Sequence, residues 1–179
     1  MGHNNLPALE SLSSEESLKA LIESTKNEPD LVLVLLVGNY LDGILEATLS
    51  KRLSPGNTAK RLLSHIGPLG TFQARIDLCY CLSLISKEAK KNLDAIGLIR
   101  NRFAHSHRLL TFDDVEIAAH CERLSWYKNE KGEAGDFPLK PESHRQRFGL
   151  AFVSLLIHFF PEDEQSPKSE GSLDSRRYP

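Results

Sequence analysis

The sequence predicts an all-α protein, a single-domain bundle of about six to seven helices. Apolar residues recur at three- and four-residue spacings, polar residues suited to helix N-caps precede those runs, and Pro and Gly separate them. The sequence contains no long run of alternating polar and apolar residues, which is the pattern of a half-buried strand. These three observations together favour helices throughout the chain.

The length predicts one domain, because 179 residues can bury a proper core but do not divide comfortably into two. We expect an N-terminal tail at 1–10 and the all-α domain at 11–160. Residues 161–179 are too polar to bury, which predicts a disordered C-terminal tail.

Composition excludes several classes of protein. The chain is 40% hydrophobic and 26% charged, as in ordinary soluble globular proteins. Its net charge of -2 argues against a large basic surface for duplex nucleic acid. The three cysteines form neither a disulfide framework nor a CxxC pair, and the N-terminus does not resemble a signal peptide. The longest apolar run, at 31–37, is far shorter than the ~20 residues of a membrane span. We therefore expect a cytoplasmic protein with no membrane partner.

A capping box and a proline predict the first two helices. Ser13, followed by a glutamate three residues later, begins a helix that ends near Asn27. Pro29 begins the second helix, which the Ser-Pro-Gly sequence at 54–56 ends. The predicted core positions of this helix are Val37, Leu41, Ile44, Leu45, Thr48 and Leu49.

The middle of the chain predicts three more helices, the first of them a short amphipathic helix at 57–66 before a GPLG turn at 67–70. From Thr71 a helix is predicted to run to about Ser86, with one side formed by Phe72, Ile76, Cys79, Tyr80 and Ser83. Ser86 then caps a helix at 87–105. The predicted core stripe of that helix consists of Ala89, Leu93, Ile96, Ile99 and Phe103.

Two helices complete the predicted bundle. Thr111, with Asp114 three residues later, predicts an N-cap and a helix through about Trp126. Its inward positions would include Val115, Ala118, Ala119 and Leu124. The segment at 127–142 is polar and rich in helix breakers, which predicts a loop. A last helix is predicted from about Ser143 to Phe160.

The stretch IRNRFAHSH at 99–107 contains the candidate catalytic residues. Asn101 and His105 are four residues apart and share a helix face, and the long side chain of Arg100 can reach towards them. A guanidinium binds phosphate through two hydrogen bonds and an imidazole titrates near neutrality, so this pair suits phosphodiester cleavage. His105 would act as general acid or base, Arg100 would stabilise charge on the phosphate oxygens, and Asn101 would orient His105 or the substrate.

A structural interpretation of the same stretch stays open, because basic residues in the last turn of a helix complement its dipole and bond its final carbonyls. Metal binding is not predicted, since His105, His107, His120 and Cys121 match no usual zinc spacing. We expect no cofactor.

The segment at 58–76 superficially suggests helix, turn and helix, but Pro68 in the turn and the apolar second helix argue against DNA recognition.

Residues 66–117 resemble the core of the mannitol operon repressor family of bacterial proteins. The shared features are the GPLG turn, the helix ARIDLCYCLSLI, a helix ending in Arg-x4-His, and FDD before the next helix. The resemblance implies an all-α bundle and a transcriptional regulator that acts through protein partners rather than through an evident DNA-recognition helix. We expect it to form a homodimer through helices of the bundle.

The fragment RNRFAH also resembles the Arg-x4-His motif of the HEPN superfamily, helical domains that include metal-independent ribonucleases and toxins. Arg100, Asn101 and His105 fall on its arginine, following polar residue and histidine. In such enzymes two chains usually face these motifs across a dimer. The sequence therefore carries a leading hypothesis, a non-enzymatic regulator, and an alternative, an endoribonuclease that cleaves RNA without a metal.

Overall fold

The structure, a computed structural model, describes residue 23 and residues 25–126 and 141–160. These residues form six helices and no strand: α1 (Asp30–Ser50), α2 (Asn57–Leu63), α3 (Phe72–Cys81), α4 (Lys87–His105), α5 (Val115–Cys121) and α6 (His144–Phe159). The all-α prediction is confirmed. Most of the predicted first helix, most of the predicted 127–142 loop and both tails lie outside the described residues.

Helix α4 is the centre of the bundle and packs against α1, α3, α5 and α6. The five residues of its predicted stripe are all buried. Ser86 is its N-cap, as predicted, since the Ser86 Oγ accepts a hydrogen bond from the Ala89 N–H at 3.1 Å. The apolar spacing of the sequence therefore identifies both the start and the inner face of this helix.

Helix α1 is anchored at its N-terminus by Asp30. The Asp30 carboxylate accepts a hydrogen bond from the Phe112 N–H at 3.0 Å and forms an ion pair with Arg145 of α6.

By length and composition alone α1 could cross a membrane, but core helices of soluble proteins meet the same criterion. Its predicted core positions are buried, apart from the half-buried Thr48.

Helix α3 ends at Cys81, four or five residues before the predicted end near Ser86. Ser83 adopts a left-handed φ of 56°, and its N–H donates to the Tyr80 carbonyl while the Leu84 N–H donates to the Cys79 carbonyl. This pair of bonds is the Schellman motif that ends helices, usually at a glycine. Phe72, Ile76 and Cys79 are buried as predicted, but Tyr80 and Ser83 are exposed, which corrects that part of the predicted face.

Helix α5 begins later and ends earlier than predicted. The Asp114 carboxylate accepts a hydrogen bond from the Thr111 N–H at 2.7 Å, so it closes a turn before the helix. Val115 and Ala119 are exposed, and Ala118 is half-buried; the buried positions are Ile117, Cys121 and Leu124. The prediction was wrong for Val115 and Ala119. The helix begins at Val115 rather than directly after Thr111, so a different set of residues faces the core.

Helix α6 begins as predicted, since the Ser143 Oγ accepts a hydrogen bond from the Gln146 N–H at 3.2 Å. Three aromatic rings tie this helix to the segment that follows α4. The ring centroids of Phe103 and Phe112 are 5.8 Å apart, and those of Phe112 and Phe148 are 5.2 Å apart. The C-terminal end of α4 is therefore held by a packed aromatic row.

The GPLG turn is fastened to α1 by the buried Arg75 of α3. Its guanidinium donates to the carbonyls of Leu63 and Leu69, at 2.8 and 2.9 Å. It also lies 2.8 Å from a carboxylate oxygen of Asp42 and 2.8 Å from one of Glu46, both on α1. One side chain thus joins α1 to both ends of the segment between α2 and α3.

Candidate functional site

The candidate residues all lie in the last two turns of α4, but their side chains divide between two surfaces. Arg100 extends across α1, where its Nη2 donates to the Asn39 Oδ1 at 3.3 Å. A Cβ atom built on Gly38 would lie 2.5 Å from the Arg100 Cδ, so the absence of a side chain at Gly38 makes room for the arginine. The Arg100 Nε is buried, and the described residues offer it no hydrogen-bond acceptor.

Asn101 and His105 are exposed and lie together in a shallow depression of about 410 Å³. Its other described lining residues are Leu98, Arg102, Ser106, Arg108, Leu110 and Glu116. Arg100 is not among the described residues that line it. The structure therefore brings Asn101 and His105 together and directs Arg100 to a different surface.

Charges of both signs surround the depression. Arg102 forms an ion pair with Glu116, and the Arg108 Nη2 lies 2.7 Å from a carboxylate oxygen of Asp114. The Thr111 backbone N–H, with a further contribution from Arg108, holds the pKa of the Asp114 carboxyl below its usual value. Each arginine that flanks His105 already has a carboxylate partner, so the region carries little excess positive charge.

Large apolar side chains are exposed at the depression or at positions next to its lining residues in the chain. Leu98, in its wall, is 45% exposed; Leu109 and Val115, which adjoin lining residues in the chain, are 88% and 87% exposed. We call the depression together with Leu109 and Val115 the α4–α5 face. Leu98 is a large apolar residue outside the predicted core stripe of α4. Its position was the one feature of the sequence that indicated an exposed apolar surface here. Val115 was instead assigned to the core.

His105, His107, His120 and Cys121, the residues considered as metal ligands in the sequence, lie in the same part of the chain. Among the described residues, no group of three or more His, Cys, Asp or Glu side chains could hold a metal ion. Cys121 is buried within the core, and burial raises the pKa of its thiol to about 12. A thiol in that environment stays protonated and packs as a small apolar group.

A family model described as mannitol repressor matches residues 57–146, just over half of the 179 residues. The chain belongs to the mannitol repressor family. The resemblance predicted from residues 66–117 is thereby confirmed. The match runs from the start of α2 into the first turn of α6, so it includes the GPLG turn and the whole α4–α5 face of this mannitol repressor. No curated protein and no solved structure matches the chain.

The contact of Gly38 with Arg100 leads to a measurable coupling. In the wild-type background, Gly38→Ala should displace Arg100, and this loss should offset the gain of about 1 kcal/mol from replacing a helical glycine by alanine. An Arg100→Ala background removes the three atoms nearest to the new methyl group, all of the Arg100 side chain, and we expect most of the gain to be restored. Urea unfolding of the four proteins should give a coupling free energy of about 1 kcal/mol or more. Effects that add within roughly 0.3 kcal/mol would contradict this contact.

Proposed function

We propose that this chain is a cytoplasmic bacterial regulator of the mannitol repressor type that works through protein contacts, the first being with a second copy of itself at the α4–α5 face. The observation that carries the proposal is a depression with charges of both signs, in whose wall Leu98 is exposed and next to whose lining residues the exposed Leu109 and Val115 follow in the chain. Exposed apolar patches with a polar rim are typical of protein interaction surfaces.

The charges on the face support a second copy as the partner. Each chain presents two arginines, Arg102 and Arg108, and two carboxylates, Glu116 and Asp114. A twofold interface uses the same patch on both chains, so that patch must complement itself. Equal numbers of opposite charges meet this requirement, because a patch without excess charge does not repel a second copy of itself.

The environment of α3 supports protein contact rather than direct reading of DNA. In a helix-turn-helix, the second helix exposes the side chains that enter the major groove. Here α3, which follows α2 and the turn, buries Phe72, Arg75 and Ile76 against the rest of the bundle. Its exposed Gln73 side chain donates to the Asp94 carboxylate at 2.9 Å, which further ties the helix to α4.

A repression assay tests the proposal. The chain is produced in a strain that lacks its own copy and carries a reporter gene behind the mannitol operon promoter. Val115→Glu should relieve repression, because a charge in the middle of an apolar contact costs several kcal/mol when it is left unpaired. Ile66→Glu is the matched control, since Ile66 is 85% exposed and lies outside the α4–α5 face. Full repression by Val115→Glu at wild-type protein level would contradict the proposal.

A second candidate function is the HEPN-type ribonuclease, with Arg100, Asn101 and His105 as its residues. The observation that favours it is that Asn101 and His105 share one accessible depression flanked by Arg102 and Arg108. An exposed imidazole there has room for a phosphodiester. Two features weigh against it: Arg100 donates to Asn39, and both flanking arginines are paired with carboxylates. We therefore rank it below the regulator.

Incubation of the purified protein with RNA in EDTA separates the two functions. A ribonuclease of this type would cleave RNA in EDTA, lose cleavage in His105→Ala and keep it in His107→Ala. His107 is a fitting control because it is also exposed but is not among the described residues that line the depression. For a regulator we expect no cleavage by any of the three proteins, and EDTA-resistant cleavage that depends on His105 would replace the leading proposal by the second.

A further inference from the structure

A second cavity, of about 390 Å³, lies at the opposite end of α4 from the α4–α5 face. Glu88 and Asn92 of α4, Ser125 and Trp126 after α5, and Leu155 and His158 of α6 contribute to its walls. Helix α4 has 19 residues, so the two ends of the helix are about 27 Å apart. The cavity is thus a separate site, with a volume in the range of small-molecule pockets.

The wall that carries Trp126 is held firmly. Asn92 is 4% exposed; its Nδ2 donates to the Ser125 carbonyl at 2.7 Å, and its Oδ1 accepts from the Ser125 N–H at 2.9 Å. The Arg147 guanidinium lies over the indole of Trp126, 5.3 Å from the ring centroid, and donates to the Glu122 carbonyl at 3.1 Å. The backbone of the segment after α5 is therefore fixed to both α4 and α6.

Two polar groups of the cavity have no partner among the described residues. One is the indole N–H of Trp126, which is buried and finds no acceptor in the described part of the chain, at a cost of about 1–3 kcal/mol. Glu88 has no ion-pair partner among the described residues, and no Lys or Arg is among those that line the cavity. Burial, opposed by a hydrogen bond with the Leu84 backbone, lowers the pKa of His158, which favours its neutral form. The site thus offers an unused donor, a free carboxylate and no cation for an anionic ligand.

We propose that this cavity binds a small, neutral, polyhydroxylated molecule of the sugar-alcohol class. One ligand oxygen accepts from the Trp126 indole N–H after a small rotation of the ring, and ligand hydroxyls donate to the Glu88 carboxylate. The carbon chain packs against the indole and Leu155, the apolar part of the wall. A phosphate ester is disfavoured, because it would face Glu88 without a compensating cation. This inference goes beyond the proposed function, which rests on the other end of α4.

The test uses Trp126 as its own reporter, since it is the single tryptophan of the chain. The full-length protein is titrated with D-mannitol into the millimolar range while tryptophan emission is recorded. Glycerol serves as a control for viscosity and D-mannitol 1-phosphate as the anionic comparator. We expect a saturable change with D-mannitol, only a linear drift with glycerol, and binding of the phosphate at least about tenfold weaker.

Three variants make the test specific. Glu88→Gln should weaken D-mannitol binding about tenfold, because it removes a charge-assisted hydrogen bond. Glu142→Gln, which changes an exposed carboxylate that is not among the described lining residues, should leave it unchanged. Calorimetry with Trp126→Phe, checked by its melting curve to be folded, should show binding lost.

An unsaturable response to D-mannitol, equal affinity in Glu88→Gln and wild type, or preference for the phosphate would each overturn the inference. None of these outcomes bears on the repression assay, which depends on Val115 at the other end of α4.

Discussion

Replacing Arg75 by alanine is expected to destabilise the fold by about 3–5 kcal/mol. Arg75 is 5% exposed, donates to two carbonyls and lies within ion-pair distance of two carboxylates. Its removal leaves the Leu63 and Leu69 carbonyls without their side-chain donor and two carboxylates on α1 without their cation. Hydrogen bonds to a charged group contribute about 1.5–3 kcal/mol each, so the two lost carbonyl bonds account for most of the effect. The carboxylates of Asp42 and Glu46 are 29% and 49% exposed, so water solvates them and their loss of the cation adds less.

Urea unfolding monitored by circular dichroism measures this loss. Arg52→Ala is the matched control: it removes an exposed arginine for which the described residues offer no ion-pair partner, and it should change stability by less than about 0.5 kcal/mol. Arg75→Lys should recover only part of the loss, because one ammonium group cannot reproduce the planar fork of a guanidinium. A loss below roughly 1 kcal/mol in Arg75→Ala would show that Arg75 does not hold the turn to α1.

Gly70→Ala is expected to cost roughly 2–4 kcal/mol, because the space around Gly70 is filled by backbone. A Cβ atom there would lie 2.4 Å from the carbonyl oxygens of both Ser64 and His65. Main-chain atoms cannot rotate away as a side chain can, so the turn must open. That opening would break the bond from the Gly70 N–H to the Gly67 carbonyl, which is 2.9 Å long.

Gly149→Ala is the matched control for this substitution. Gly149 lies inside α6, and a Cβ atom there would meet nothing within 4 Å. The same chemical change should therefore leave stability unchanged or raise it by up to about 1 kcal/mol, the gain in helix propensity. Thermal or urea unfolding measures the stability of the two variants. Similar stabilities for Gly70→Ala and Gly149→Ala would contradict the close packing of the GPLG turn.

Local patterns in the sequence predicted most helix starts and the main core face. Ser86 and Ser143 cap helices as expected, and the stripe of α4 is buried throughout, since capping and amphipathic spacing are local properties. The end of α3 was not predicted, because Ser83 takes the left-handed conformation that glycine usually supplies. The register of α5 was missed because residues 111–114, predicted as the cap and first turn of the helix, form a separate turn and the helix begins only at Val115.

The candidate site was predicted only in part. Spacing correctly placed Asn101 and His105 on one surface, because both positions belong to the same helix face. The direction of Arg100 depends on Gly38 and on Asn39, which is 61 residues away in sequence, and local spacing carries no information about such a contact. The cavity beside Trp126 was missed for the same reason, since three separate segments form its walls.

Sedimentation equilibrium of the full-length protein tests the central claim, that the α4–α5 face joins two copies of this mannitol repressor. We predict that wild type and Ile66→Glu sediment as dimers at micromolar concentration, and that Val115→Glu sediments as a folded monomer. A monomeric wild-type protein at this concentration, or a Val115→Glu dimer as stable as that of wild type, would contradict it.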